Sequence, residues 1–349
     1  DSEEQQWANY RLDEGKGVMM WGRMNEPYTQ LAMGYSSNSN FSRMGHESHG
    51  FNGKRLLGYF ESHDEERVMY NSTQLGNSSG SYNITDLNTS LERMSAIGAI
   101  SLTIPGPKII WHFSDLGMNN SLYTCPDGSV DEPDCKLDTK PQPQWTENWL
   151  GNTNRRQVYD DWSRIIDLKI NEDVFEGSYN ISSGGLTPIV YIWNDNISIE
   201  NLKNVVVLSN FDVILKNVTP NFPFTGTWYN LMDPDGNTSI EVSSTAAQIS
   251  LEPGEFKIYG NQVSGTLSNN VISQDIFKIF PNPTQSSFMI NKNVHELKIF
   301  DITGKLIIEF KGVYQVNQIF DISHLDKGYY LVKIINDKGN IEIKKLVKY

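Results

Sequence analysis

Between residues 56 and 67 the chain passes from an apolar run, Leu56-Leu57-Gly58-Tyr59-Phe60, directly into Glu61-Ser62-His63-Asp64-Glu65-Glu66-Arg67. A short apolar run that ends at a cluster of ionisable groups reads as a buried strand. Its surroundings fix what kind of sheet it belongs to. Residues 1 to 172 alternate such runs with helical patterns: strand-like 17–22, a helix around 28–33, the strand at 56–60, helical spacing over 91–100, a strand over 106–113 and a closing helix over 156–170. Strand and helix in strict alternation predict a parallel sheet. Carboxylates and imidazoles at the C-terminal tip of a strand in such a sheet are candidates for chemistry.

After residue 172 the pattern changes. From 173 to 262, strand-like runs such as Ile189-Val190-Tyr191-Ile192-Trp193 and Val205-Val206-Val207-Leu208 are separated by Asn, Asp, Gly and Pro turns. That spacing predicts a small β-sandwich. Residues 263–276 are rich in Ser, Asn and Gly and read as a linker. Residues 277–349 form a further short β unit, with a turn signal at Asp301-Ile302-Thr303-Gly304-Lys305.

Charge follows the same division. The full chain carries −13. Residues 277–349 hold 11 Lys and 7 acidic residues, a net of +4, which leaves −17 on the rest. An acidic body argues against a nucleic-acid partner and suits neutral substrates such as sugars. No apolar run approaches the ~20 residues of a membrane span. The chain opens on Asp1-Ser2-Glu3-Glu4 without an initiator Met, so its true N-terminus is expected further upstream.

Two cysteines, Cys125 and Cys135, lie in one loop-like stretch. In an exported protein they read as a local disulfide closing a short loop; a metal site would need further ligands close by. His46-Glu47-Ser48-His49 has one residue too few for the zinc-binding His-Glu-x-x-His pattern and reads as a solvated loop. Ser62-His63-Asp64 is not a hydrolytic triad, because adjacent side chains on an extended strand point to opposite faces. The acids at 61, 64, 65 and 66 also have a purely structural use, favouring the positive N-terminus of the helix that follows.

Tyr59-Phe60-Glu61-Ser62-His63-Asp64 resembles the fourth signature of the α-amylase family, glycoside hydrolase family 13, in which a His-Asp pair closes the seventh barrel strand. Ile104-Pro105-Gly106-Pro107-Lys108-Ile109-Ile110 is similar to the approach to the eighth strand. The family follows that strand with Gly-Asp/Glu-Glu-x-Gly, whereas this chain has Phe113-Ser114-Asp115-Leu116-Gly117. Lys140-Pro141-Gln142-Pro143-Gln144-Trp145 and the helix after it resemble the last barrel loop and helix. The resemblance covers roughly residues 1 to 260. It implies an α/β plus all-β fold: about the last three βα units of a (β/α)8 barrel (residues 1–172), then the family's C-terminal β-sandwich (173–262). Three strands cannot close an eight-stranded barrel.

The family's mechanism is retaining. The resemblance implies that Asp64 stabilises the distorted transition state and that His63 hydrogen-bonds the same sugar ring. Tyr59, Trp111, His112 and Trp21 are candidates for stacking on glucose, with core packing their ordinary use. The nucleophile and the acid/base would precede Asp1, as would the main ligands of any structural calcium. The expected function is therefore that of a starch or maltooligosaccharide hydrolase, represented by a piece inactive alone. Two other readings are glucan branching by transfer and non-catalytic glucan binding at a surface.

In the tail, Phe280-Pro281-Asn282-Pro283, Leu297-Lys298-Ile299-Phe300-Asp301, Gly328-Tyr329-Tyr330-Leu331-Val332-Lys333-Ile334 and the terminal Lys344-Lys345-Leu346-Val347-Lys348-Tyr349 occur in order. Together they resemble a type IX secretion sorting domain, here 277–349. This implies the type IX machinery as partner and a location outside a bacterial cell, secreted or at the outer-membrane surface.

Overall fold

The computed structural model describes residues 2–132, 134–138, 146–265, 278–335 and 341–349. The loop resemblance at 140–145 and most of the linker at 263–276 lie outside these residues. The chain divides into two compact units, Asp1–Ser268 and Asn269–Tyr349.

In the first unit, α1 (Ser2–Asn9), β1 (Met20–Arg23), α2 (Asn25–Met33), β2 (Leu56–Tyr59) and α3 (Val68–Leu75) alternate. A two-residue hairpin, β3 (Ser78–Ser79) and β4 (Tyr82–Asn83), precedes α4 (Leu87–Leu102), and α5 (Thr153–Asn171) closes the helical part. β1 and β2 pair in parallel, Met20 opposite Leu56 and Arg23 opposite Tyr59. The predicted strand at 106–113 is much shorter than its sequence suggests. It touches the sheet through one parallel bridge, Gly58 to Lys108, with the Ile109 N–H on Gly58 O at 3.1 Å. The chain then turns at Phe113, whose φ of +60° ends any strand.

α4 and α5 begin at side-chain caps. Asp86 accepts from the Asn88 and Thr89 N–H groups, and Asn152 from those of Asn154 and Arg155. The two helices meet where α4 has no side chain: a Cβ on Gly98 would lie 2.2 Å from the Trp162 indole nitrogen. That indole donates to Met94 O at 2.9 Å.

Residues 178–260 form eight strands: β5 (Ser178–Ser182), β6 (Ile189–Trp193), β7 (Asn204–Ser209), β8 (Lys216–Val218), β9 (Gly226–Asn230), β10 (Ser239–Val242), β11 (Ile249–Leu251) and β12 (Phe256–Gly260). Six make an antiparallel sheet in the order β10-β9-β12-β7-β6-β5, and β11 pairs with β8. One face of the sheet, with Val190, Ile192, Val205, Val207 and Ile258, shares a single apolar cluster with Ile97, Ile100, Trp162 and Ile165 of the helices. The other face packs Val206, Leu208 and Trp228 against Val218 and Leu251. β7 is thus buried on both sides, which is why it reads as an unbroken apolar run. β5, β8 and β10 were not apparent from sequence, because each carries Ser, Asn, Lys or Glu at its exposed positions.

Arg93 of α4 is fully buried at the join of helices and sheet. Its guanidinium donates to Leu31 O and Ala32 O in the last turn of α2, both at 2.7 Å, and to Phe211 O beyond β7 at 2.6 Å.

The second unit has a three-stranded sheet of β13 (Ile279–Phe280), β14 (Ser287–Ile290) and β17 (Ile319–Asp321). A four-stranded sheet joins β15 (Val294–Asp301), β16 (Leu306–Tyr314), β18 (Gly328–Ile335) and β19 (Ile341–Lys348) in the order β16-β15-β18-β19. Phe288, Leu297, Ile299, Phe320, Val332 and Leu346 fill its core. The Asp301 carboxylate accepts the N–H groups of Thr303 and Lys305 at 2.8 and 3.0 Å, making the expected turn.

Candidate functional site

The acids beyond the tip of β2 have different uses. Glu61 is buried; it accepts the Val68 N–H, the first of α3, at 2.7 Å, the Arg67 guanidinium at 3.2 Å and the Ser114 hydroxyl. Glu65, also buried, takes Arg23 Nε at 3.0 Å and the Ser62 hydroxyl. Glu66 accepts the N–H groups of Arg67 and Leu122, each at 2.7 Å, and the Ser121 hydroxyl at 2.6 Å. Asp64 is the one left projecting. Its side chain is 63% exposed, 3.4 Å from His63 Nε2 and 3.3 Å from Lys136 Nζ. The Ser62 hydroxyl donates to Glu65 and accepts the Asp64 N–H at 3.2 Å, so its proton is directed to neither the His63 ring nor the Asp64 carboxylate.

Asp64 lines a cleft of about 250 Å³ together with His63, Arg67, Trp111, His112, Lys136 and Leu137. The His63 and Trp111 rings lie 5.9 Å apart, and Trp111 and His112 meet edge to face at 5.4 Å. Arg67 Nη2 donates to His112 Nδ1 at 3.2 Å. Partial burial, and then this cation, lower the His112 pKa, which favours the neutral form of the ring. The cleft therefore combines a carboxylate, an ammonium, imidazoles and an indole, a set able to hydrogen-bond hydroxyls around an aromatic surface.

The loop beneath it is held from α5. The Arg155 guanidinium donates to Leu116 O and Gly117 O at 2.8 and 2.5 Å and to Asn119 Oδ1 at 2.8 Å, 4.0 Å over the Trp149 ring. Burial brings its pKa down to about 10. Cys125 and Cys135 are joined by a disulfide, and Lys136 is the next residue.

Of the residues proposed from sequence, the fold brings His63, Asp64, Trp111 and His112 together. Tyr59 is buried outside this cleft, edge-on to the exposed Trp21 at 5.5 Å. Asp115 sits in the turn Ser114–Leu116, and burial raises its pKa. His46 and His49 do not converge: His46 is buried against Tyr179, and His49 bonds Arg43. Among the described residues no group of three His, Cys, Asp or Glu side chains is arranged to hold a metal. Arg67, Lys136 and Arg155 were missed. The six-residue spacing from Glu61 to Arg67 was a usable signal for the first; the others depend on long-range folding.

Residues 278–349 match the family model described as the secretion system C-terminal sorting domain. No curated protein matches the chain in sequence. Among solved structures, an Anoxybacillus alpha-amylase aligns at 10% identity over 68% of this chain and 46% of its own, with a TM-score of 0.47. AmyP in complex with maltotriose aligns at 14% over 69% and 49%, TM-score 0.48. A pullulanase complexed with maltotetraose, from an Anoxybacillus species, aligns at 12% over 74% and 34%, TM-score 0.45. The chain spans half or less of the length of each. Its tail is a type IX sorting domain, which directs the protein to secretion or the cell surface. Among the described residues no helix is long and apolar enough to cross a membrane.

Proposed function

We propose that residues 1–262 are the C-terminal part of a retaining α-glucan hydrolase of the α-amylase type, delivered outside the cell by its tail. In this reading β1, β2 and the bridge at Lys108 are the last three strands of a barrel whose earlier strands carry the nucleophile and acid/base. One observation carries the reading. The three other carboxylates at the tip of β2 are taken up by Arg23, Arg67, α3 and the loop at Ser121, while Asp64 stands in a cleft between His63 and Trp111. A carboxylate so placed accepts hydrogen bonds from sugar hydroxyls that tighten as the ring flattens toward the oxocarbenium-like state, an effect of several kcal/mol. His63 donates to the same ring, and Trp111 offers an apolar surface to the sugar face.

The chain alone is expected to bind glucan without cleaving it. Calorimetric titration with maltotriose tests this: Asp64→Asn should weaken binding about tenfold or more, the loss of a charged hydrogen-bond acceptor, with circular dichroism unchanged. Equal affinity in the variant would remove Asp64 from the site. In the longer gene product the same change should abolish most release of reducing ends.

A further inference from the structure

We propose that the Cys125–Cys135 disulfide assembles the cleft by holding Lys136 on Asp64, so that the site is completed by oxidation after export. The loop from Ser121 to Asp138 forms the wall facing the strand tip. Its entry is fixed by Glu66, which accepts the Ser121 hydroxyl at 2.6 Å and the Leu122 N–H at 2.7 Å. Its interior is a small turn: Thr124 bridges Val130, and the Cys125 N–H donates to Ser129 O at 2.7 Å. At its exit the Cys135 N–H donates to Asp131 O at 3.1 Å and the Asp138 N–H to Cys135 O at 3.2 Å, local turns that fold the exit on itself without tying it to the strand tip. Leu137 is 94% exposed, so burial does not retain it. Lys136 is part-buried and reaches Asp64 at 3.3 Å, but the Asp64 side chain is 63% exposed, and an ion pair so open to water does little to order a lysine stem. The covalent bond adds a tie from the exit back to the anchored half of the loop. It brings the Cys135 Cα to 5.1 Å from that of Cys125, immediately before Lys136, and removes most of the freedom the open loop would have.

Such a bond does not persist in a reducing cytosol. The sorting domain takes the chain out of it. On oxidation each thiol gives up one proton and one electron; a disulfide-form oxidoreductase accepts both electrons and both protons and leaves as a dithiol. Lys136 is then a positioning residue for Asp64: it occupies Oδ1 and leaves Oδ2 beside His63. A hydroxyl entering this corner meets an acceptor and a donor together. That last step rests on the glucan reading; the assembly of the cleft does not.

Carbodiimide coupling of the full 349-residue chain tests the proposal. It condenses a carboxylate and an amine in contact, with loss of water to the reagent, and digestion with mass spectrometry reads the product. A Lys136–Asp64 amide is expected in the oxidised chain, falling about tenfold or more on reduction or in the Cys125→Ser/Cys135→Ser variant, as the effective concentration of the amine drops. The Lys54–Glu176 pair, distant from the loop in sequence, is the internal control and should couple equally in all samples. No Lys136–Asp64 product in the oxidised chain, or equal yield without the disulfide, overturns the proposal. Loss of both products on reduction also overturns it, because the bond would then support the whole unit rather than the cleft. Maltotriose should suppress the coupling; if disulfide dependence holds but the sugar has no effect, the glucan reading fails and the assembly stands.

Discussion

Residues 46–49 and 61–67 both concentrate ionisable groups beside the parallel strands, and the fold treats them in opposite ways. In the first, His46 is buried against Tyr179 and His49 closes on Arg43, so the two imidazoles are spent on the fold. In the second, Glu61, Glu65 and Glu66 are turned into the fold, and the result is a rigid frame from which His63 and Asp64 project. The density of charge is similar. What separates a candidate site from a structural cluster is that its neighbours are fully satisfied while one group remains available.

Substitutions can break that comparison, beginning with the largest effect. Glu61→Ala leaves the Arg67 guanidinium and the Val68 N–H without their buried acceptor; unfolding in urea should show a loss of about 3–5 kcal/mol, and a loss below about 1 kcal/mol would mean the frame is not rigid. Arg155→Met strips Leu116 O, Gly117 O and Asn119 of their donor, for an expected loss of about 2–3 kcal/mol by the same measurement. The His46 segment should instead show itself in acid. Burial, with Lys54 and Lys108 nearby, lowers the His46 pKa from 6.5 to about 4, and His49 adds to the shift. As pH falls below 6.5 the unfolded chain takes up the proton first, so stability should decline progressively until about pH 4. His46→Gln should flatten that part of the thermal-stability profile; an unchanged slope would place the acid sensitivity elsewhere. Smallest is Asp64→Asn, which should alter stability by less than about 0.5 kcal/mol because the Asp64 carboxylate is itself largely exposed to solvent. A larger loss would make Asp64 part of the frame and erase the contrast with Glu61.

Much of this was legible in the residues. The apolar run at 56–60 announced β2, and its abrupt end at Glu61 located the cleft, because buried ionisable groups need partners and a cluster of them marks a strand tip. Val205-Val206-Val207-Leu208 announced a strand, and the fold added that it is covered on both sides. The third strand was over-read, since Ile109, Ile110 and Trp111 have strand-like character but only Gly58 as a ladder partner, and pairing is not encoded locally. Tyr59 was chosen for its place near a tip, yet the pleat and its neighbours put it under cover. Lys136 could not be chosen at all: 72 residues separate it from Asp64, and only the closed loop brings them together.

Arg93 has a bearing on how this chain could be cut or shuffled. Its guanidinium clasps the end of α2 on one side and Phe211 on the other, in a seam where helices and sheet share one apolar cluster. A gene divided at residue 172 would take the Phe211 carbonyl and the apolar cover from Arg93 on one fragment and bare a valine-rich sheet on the other. Recombination that swaps the sandwich for another must therefore bring a carbonyl to the same spot, so the two parts should be inherited, trimmed and transplanted as a single cassette.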